Sequence, residues 1–318
     1  FERHLVPTVL LLVSALFGGV SCVTNNDGGL QRFEFQQPQM GVPFRVVLYA
    51  RDESVARTTA DAAFARIAEL NSILSDYDYE SELSRLSRTS GSGQNVGVSP
   101  DLWHVLERSQ FFAEQSGGAF DITVGPAVNL WRKARREKKF PDQERLAKAR
   151  EAVGYKNLIL HPGSRTVELK QPGMRLDLGG IAKGYAVDEA LKVLRQQGIN
   201  RALVSGGGDI AVGEPPPGKT AWRIELPPLD RNGQPSEFLQ LKNNAMATSG
   251  DLFQYVILDG RRYSHIVDPR TGIGLTNSSR VVVVAKDCTT ADAMATSVSV
   301  LGAEEGLRLV RLIRNTSA

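Results

Sequence analysis

The chain has 318 residues, 42% hydrophobic and 23% charged, and its 38 Lys and Arg against 35 Asp and Glu leave a formal net charge of +3. Such a composition excludes a disordered chain and an integral membrane bundle, and so balanced a charge gives no electrostatic reason to expect nucleic acid as a partner. Two cysteines, Cys22 and Cys288, in unlike surroundings exclude a disulfide scaffold, and no recurring period marks a repeat protein.

The first predicted element is an apolar run from Val6 to Val20, preceded by Arg3 and His4 and with the small residues Gly18, Gly19 and Ser21 near its end. A short basic start, an apolar middle and small residues make an export signal, and the run is too short for a membrane helix of about 20 apolar residues. A Cys directly after small residues resembles the lipobox of bacterial lipoproteins, although Gly19 stands where Leu is usual. The expectation is a signal over residues 1–22, a lipid anchor on Cys22, a polar tether over 23–30 and one folded domain over 31–318.

Alternating residues 32–37 and 44–50 read as two strands joined through 38–43, and apolar spacing of three and four makes 54–74 an amphipathic helix. A second helix fits 100–115, capped by Ser99 and stopped by Gly117-Gly118. The basic stretch 132–139 reads as a solvated face, and a helix is expected over 142–152. Short strands follow at 157–161, 166–170 and 175–178, then a helix over 182–197 ended by Gly198. An apolar strand, 202–205, runs into Gly206-Gly207-Gly208. Further strands fit 222–226, 239–241 and 254–258, with Asp259-Gly260 as a hairpin turn. Residues 280–285 make a buried strand, and 289–301 has helical spacing. Hairpins mixed with helices argue for an α+β fold.

Four segments combine Gly, Asp and hydroxyl residues beyond what a core requires. In Ser116 to Pro126, a Gly pair permits close backbone approach and Asp121 can accept hydrogen bonds from a base or ribose, or the segment is a plain helix stop. In Leu176 to Asp188, a strand ends in Gly179-Gly180 and opens a helix whose first N–H groups suit phosphate, with Lys183 adding charge. Neither a P-loop nor a dinucleotide fingerprint is present. Asp292 and Thr296, four residues apart, share a helix face and offer two hard oxygens to a magnesium ion, or act as caps. In Tyr263 to Gly272, His265 is the histidine set among hydroxyl and carboxylate groups, either a general base or a turn residue held by Asp268.

Together these segments resemble the bacterial ApbE family, the FAD:protein FMN transferases. The resemblance rests on Met40-Gly41, Leu74 to Tyr77, Gly118 to Pro126, Leu176 to Tyr185, Ser205 to Asp209, Ala247 to Gly250, Ser264 to Gly272 and Thr290 to Gly302. It implies T-fold-like halves with FAD held between them. It further implies FAD contacts at Met40, Tyr77, Ala119, Phe120, Asp121, Asp177, Lys183, Ser264, His265 and Ile266. Magnesium, with manganese as an alternative, would be held by the Gly180 carbonyl, Asp292 and Thr296. The implied reaction moves FMN from FAD to a Ser or Thr hydroxyl of an acceptor flavoprotein and releases AMP, with Lys183, His265 and Asp268 as catalytic candidates. It also implies a protein exported to the periplasmic side of a bacterial membrane. Members of the family commonly continue into at least one more strand after the helix that follows Gly302, whereas this sequence stops at Ala318, and the expectation is an open edge of the sheet there.

Overall fold

The computed structural model describes residues 29–226, 237–250 and 254–318, so the expected export signal and most of the expected tether lie outside the described residues. In chain order the elements are β1 (Gln31–Gln39), β2 (Val42–Ala50), α1 (Glu53–Leu74), α2 (Glu82–Ser87), β3 (Val96–Gly97), α3 (Pro100–Gln115), α4 (Gly125–Glu137) and α5 (Gln143–Glu151). There follow β4 (Leu158–His161), β5 (Thr166–Leu169), α6 (Ala182–Gln196), β6 (Ala202–Gly206), β7 (Asp209–Val212), β8 (Trp222–Glu225), β9 (Phe238–Leu241) and β10 (Ala245–Gly250). The last are β11 (Tyr255–Leu258), β12 (Arg261–Ser264), β13 (Val267–Asp268), β14 (Ile273–Gly274), β15 (Arg280–Ala285), α7 (Cys288–Leu301) and α8 (Ala303–Leu312).

Six strands in the order β1-β2-β6-β7-β10-β15, every neighbouring pair antiparallel, form the main sheet. Period-two alternation gives it two buried faces. Phe44, Val46, Leu48, Ala202, Val204, Ala245, Ala247, Val283 and Ala285 face the helical layer of α1, α6 and α7. Val47, Leu203, Val212 and Met246 point the other way and are covered by Trp222, Ile224 and Leu241 of the β8–β9 hairpin. A third apolar cluster joins Trp131 of α4 to Val256, Leu258 and Val267, with the Trp131 indole donating to the Gly272 carbonyl at 2.8 Å. That cluster fixes the β11–β12 and β13–β14 hairpins, between which His265 and Ile266 lie. The arrangement is α+β, as expected.

Several elements differ from the sequence reading. The loop expected over 38–43 shrinks to Met40-Gly41, because pairing continues to Gln39↔Val42 and both turn residues take positive φ, 48° and 76°. Pro38 is tolerated because β1 is an edge strand. Residues 175–178 form no strand; Arg175 makes a parallel bridge to Val124, and the Asp177 N–H donates to the Ile122 carbonyl. Beyond α8, Ser317 exchanges two backbone hydrogen bonds with Val284 and so pairs with β15, the strand at the sheet's edge. Among the described residues no helix is long and apolar enough to cross a membrane.

Candidate active site at the α6–α7 seam

The segment before α6 turns on Asp177, whose Oδ1 accepts the Gly179 N–H at 2.8 Å. α6 then starts without a side-chain cap of its own. Its Gly184 N–H instead donates to Asp292 Oδ2 of α7 at 3.1 Å. The two helices meet this closely because Gly184 has no side chain: a Cβ there would lie 2.4 Å from the Cys288 carbonyl oxygen and 2.9 Å from the Asp292 Cβ. At Gly180 a Cβ would stand 2.9 Å from Thr296 Oγ1 and 3.3 Å from a Phe120 ring carbon. Gly180, Phe120, Asp292 and Thr296 are therefore brought together, as the spacing on α7 had suggested for the last two.

Lys183, in the first turn of α6, reaches the same place. Its Nζ lies 3.2 Å from Asp209 Oδ2, 3.6 Å from Asp292 Oδ2 and 3.4 Å from the Gly179 carbonyl. Asp209 begins β7 immediately after the Gly207-Gly208 turn, whose φ values of 64° and 103° suit glycine. A Cβ on Gly207 would sit 3.2 Å from the Lys183 stem, so this turn also makes room for the lysine. Burial lifts the Asp209 carboxyl to about 8, the nearby Asp292 charge adding to the rise and Lys183 opposing it. Burial opposes the charge on Lys183, yet Asp209 and Asp292 outweigh it and hold the ammonium above its ordinary range.

These groups can hold a hard divalent cation. Asp292, Thr296 and the Gly180 carbonyl are oxygen donors, and Asp209 Oδ2, on a side chain 2% exposed, has no hydrogen-bond partner of good geometry. No group of three His, Cys, Asp or Glu suited to a metal occurs among the described residues. An ion at the seam would thus rest on two carboxylates, neutral oxygens and water, a set that fits Mg²⁺ better than a transition metal.

A second group forms around Arg132 of α4. Its guanidinium donates to Asp177 Oδ2 at 2.8 Å and to Asp76, and it lies 4.2 Å from the centre of the Tyr77 ring. The basic stretch is therefore not one solvated face. Lys133 and Glu137 are exposed and Arg132 is turned inward, 15% exposed. Burial and the charge of Asp76 push the Asp177 carboxyl up, against the pull of Arg132.

The remaining expected residues are placed as follows. Ala119 and Phe120 are buried, and Met40 packs on the main core from its turn. Asp121 is buried with both carboxylate oxygens engaged: Oδ1 accepts from the Thr123 N–H and hydroxyl, and Oδ2 from the Tyr155 N–H. Ser264 is buried and its hydroxyl oxygen accepts the Ile266 N–H at 3.1 Å. His265 Nδ1 lies 3.1 Å from the Gln254 carbonyl. Asp268 accepts three hydrogen bonds from Arg270, one from its N–H and two from its guanidinium. Asp209 and Arg132 were not singled out from sequence. Asp209 does close a Gly-Gly hairpin turn, which is the signal that marks it.

The sequence pattern of the ApbE family matches residues 40–318, which includes every residue of both groups. The chain belongs to the ApbE family. Among its ApbE relatives, a FAD:protein FMN transferase of Treponema pallidum is 32% identical over 320 residues, 95% of this chain and 87% of the relative. One from Vibrio cholerae is 34% identical and covers 85% of this chain and 81% of its own length. The fold agrees: the ApbE protein of Thermotoga maritima superposes with a TM-score of 0.80 at 31% identity, covering 88% of this chain and 90% of that one. The flavin transferase ApbE of Vibrio cholerae gives a TM-score of 0.80 at 31% identity, over 89% and 91%. In this ApbE chain, then, the seam between α6 and α7 and the Arg132 group lie inside the region shared with named flavin transferases.

Proposed function

We propose that this protein transfers FMN from FAD to a Ser or Thr hydroxyl of an acceptor protein, with Mg²⁺ at the α6–α7 seam. The observation that carries this reading is the convergence of Lys183, Asp209, Asp292, Thr296 and the Gly180 backbone on one partly buried point, in a chain about one-third identical to FAD:protein FMN transferases over most of its length.

In the reaction the acceptor oxygen forms a bond to the FMN-side phosphorus of FAD, the pyrophosphate P–O bond breaks, AMP leaves with that oxygen, and the hydroxyl proton is released. There is little covalent work for the protein, so positioning and charge stabilisation carry the rate. Asp292, Thr296, the Gly180 carbonyl and Asp209 would hold the cation, which supplies Lewis acidity toward the pyrophosphate oxygens. Lys183 places a fixed positive charge beside them, and the α6 N-terminus adds its dipole. His265, whose Nδ1 lies 3.1 Å from the Gln254 carbonyl, is the candidate to accept the hydroxyl proton. The family motifs and the apolar segment before Cys22 support an exported, lipid-anchored protein acting on an exported or membrane-bound flavoprotein.

The test is to incubate the protein with FAD, Mg²⁺ and a peptide bearing a Thr acceptor and to separate the products by liquid chromatography, with and without EDTA. Peptide-bound FMN and AMP in equal amounts, abolished by EDTA, is the expected result. Free FMN with AMP alone would make the protein a FAD pyrophosphatase, and intact FAD would make it a flavin-binding protein.

A further inference from the structure

The structure assigns to Arg132 the role of a positioning residue for the ring-binding end of FAD: it sets the Tyr77 ring as a stacking platform and aligns Asp177 beside it. This rests on the flavin-transferase reading above.

A guanidinium is planar, with donors on its edge and two flat faces, so it can satisfy carboxylates in its plane while stacking on an aromatic ring. Arg132 does both. Its edge donates to Asp76 and to Asp177, whose side chains are about 10% and 8% exposed, and to Asn129 Oδ1 at 3.4 Å. Its Cζ stands over the Tyr77 ring, 4.2 Å from the ring centre. Tyr77 is 77% exposed in spite of that contact, so most of the phenol remains uncovered. An exposed aromatic backed by a fixed cation offers its outer side to another planar ring, and flavin and adenine are such rings.

The support is itself anchored. α4, which carries Arg132, is pinned at Gly125, where a Cβ would fall 2.4 Å from the Arg175 carbonyl oxygen. Arg175 in turn donates to the Asp76 carbonyl at 2.6 Å. Three chain segments, 76–77, 125–132 and 175–177, therefore meet at one guanidinium. A lysine could meet one carboxylate as a point charge but could not lie flat beneath the ring while holding both.

The experiment measures FAD affinity by flavin fluorescence titration, without acceptor, for the wild type, Arg132→Lys, Tyr77→Leu and the double variant, with thermal melts as a fold control. Arg132→Lys is expected to weaken FAD binding at least tenfold and to raise KM for FAD while kcat changes less than threefold. In the Tyr77→Leu background the same substitution should cost no more than about a third of that factor. Asp76→Asn, which releases one of the guanidinium's two acidic anchors, should weaken binding at least threefold and serves if Arg132→Lys does not fold. Unchanged affinity in the folded variants, or losses from Arg132→Lys and Tyr77→Leu that multiply independently, would overturn the assignment. Failure of the wild type to transfer FMN while these binding effects hold would instead count against the proposed function alone.

Discussion

Asp188 of α6 and Asp292 of α7 each satisfy the first turn of the other's helix. Asp188 accepts the Cys288 and Thr289 N–H groups at 2.8 Å and the Thr289 hydroxyl at 2.7 Å, and Asp292 accepts the Gly184 N–H at 3.1 Å. Helix starts leave N–H groups unpaired, and here carboxylates from a neighbouring helix pair some of them. The metal-binding candidate is thereby also part of the clasp that fixes α6 against α7.

Asp188→Asn should destabilise the protein by about 1–3 kcal/mol, because an amide offers one acceptor where three donors converge and turns its NH₂ toward them. Burial raises the Asp188 carboxyl to about 6 against those hydrogen bonds. The folded state thus binds this proton at a higher pH than the unfolded state, and the group's contribution to stability grows as pH falls from above 6 toward 3.8. Thermal melts of both proteins should show the gap between wild type and variant widening from neutral pH to pH about 5. A constant gap would contradict the shift.

Gly184→Ala should open the helix seam. The new methyl would meet the Cys288 carbonyl oxygen, which is backbone and cannot swing aside. A loss of roughly 1–3 kcal/mol or more in a denaturant titration is expected. The control is Gly198→Ala: no atom stands within 4 Å of its Cβ position, and its φ of 84° makes the cost one of backbone strain alone.

Lys183→Met leaves Asp209 and Asp292 without their neutralising cation. The variant should melt below the wild type in EDTA and recover more stability than the wild type on adding millimolar Mg²⁺, since an ion bound to the folded state alone stabilises it. Equal Mg²⁺ shifts in the two proteins would show that no cation binds beside these carboxylates.

Asp209→Asn should lower divalent-cation affinity on the order of tenfold or more, read as Mn²⁺ binding by electron paramagnetic resonance. Unaltered Mn²⁺ affinity would remove Asp209 from the site.

Much of this was legible in the sequence because local chemistry decided it. Ser99 and Pro100 start α3, Gly198 ends α6, and Asp259-Gly260 turns β11 into β12, each as local rules require. Asp292 and Thr296 were legible as a pair because four residues of helix bring them together on one face. Arg132 was hidden because its partners lie 56 and 45 residues away in sequence, and a run of charges looks solvated until packing turns one of them inward. β7 and β10 were overlooked because they are short and small-residue rich, and their pairing, not their propensity, makes them strands. The tie between Asp268 and Arg270, two residues along, is a local turn contact that the reading of His265 passed over.

Mass spectrometry of an acceptor peptide tests most directly whether FMN passes to a protein hydroxyl at the α6–α7 seam. With FAD and Mg²⁺, the wild type should raise the mass of a Thr-containing peptide by that of FMN less water, and a Val-for-Thr peptide should stay unmodified. Asp292→Ala, shown folded by its melt, should slow the modification at least about a hundredfold. A wild type that leaves the Thr peptide unmodified, or a folded Asp292→Ala that modifies it at the wild-type rate, would contradict FMN transfer at this seam.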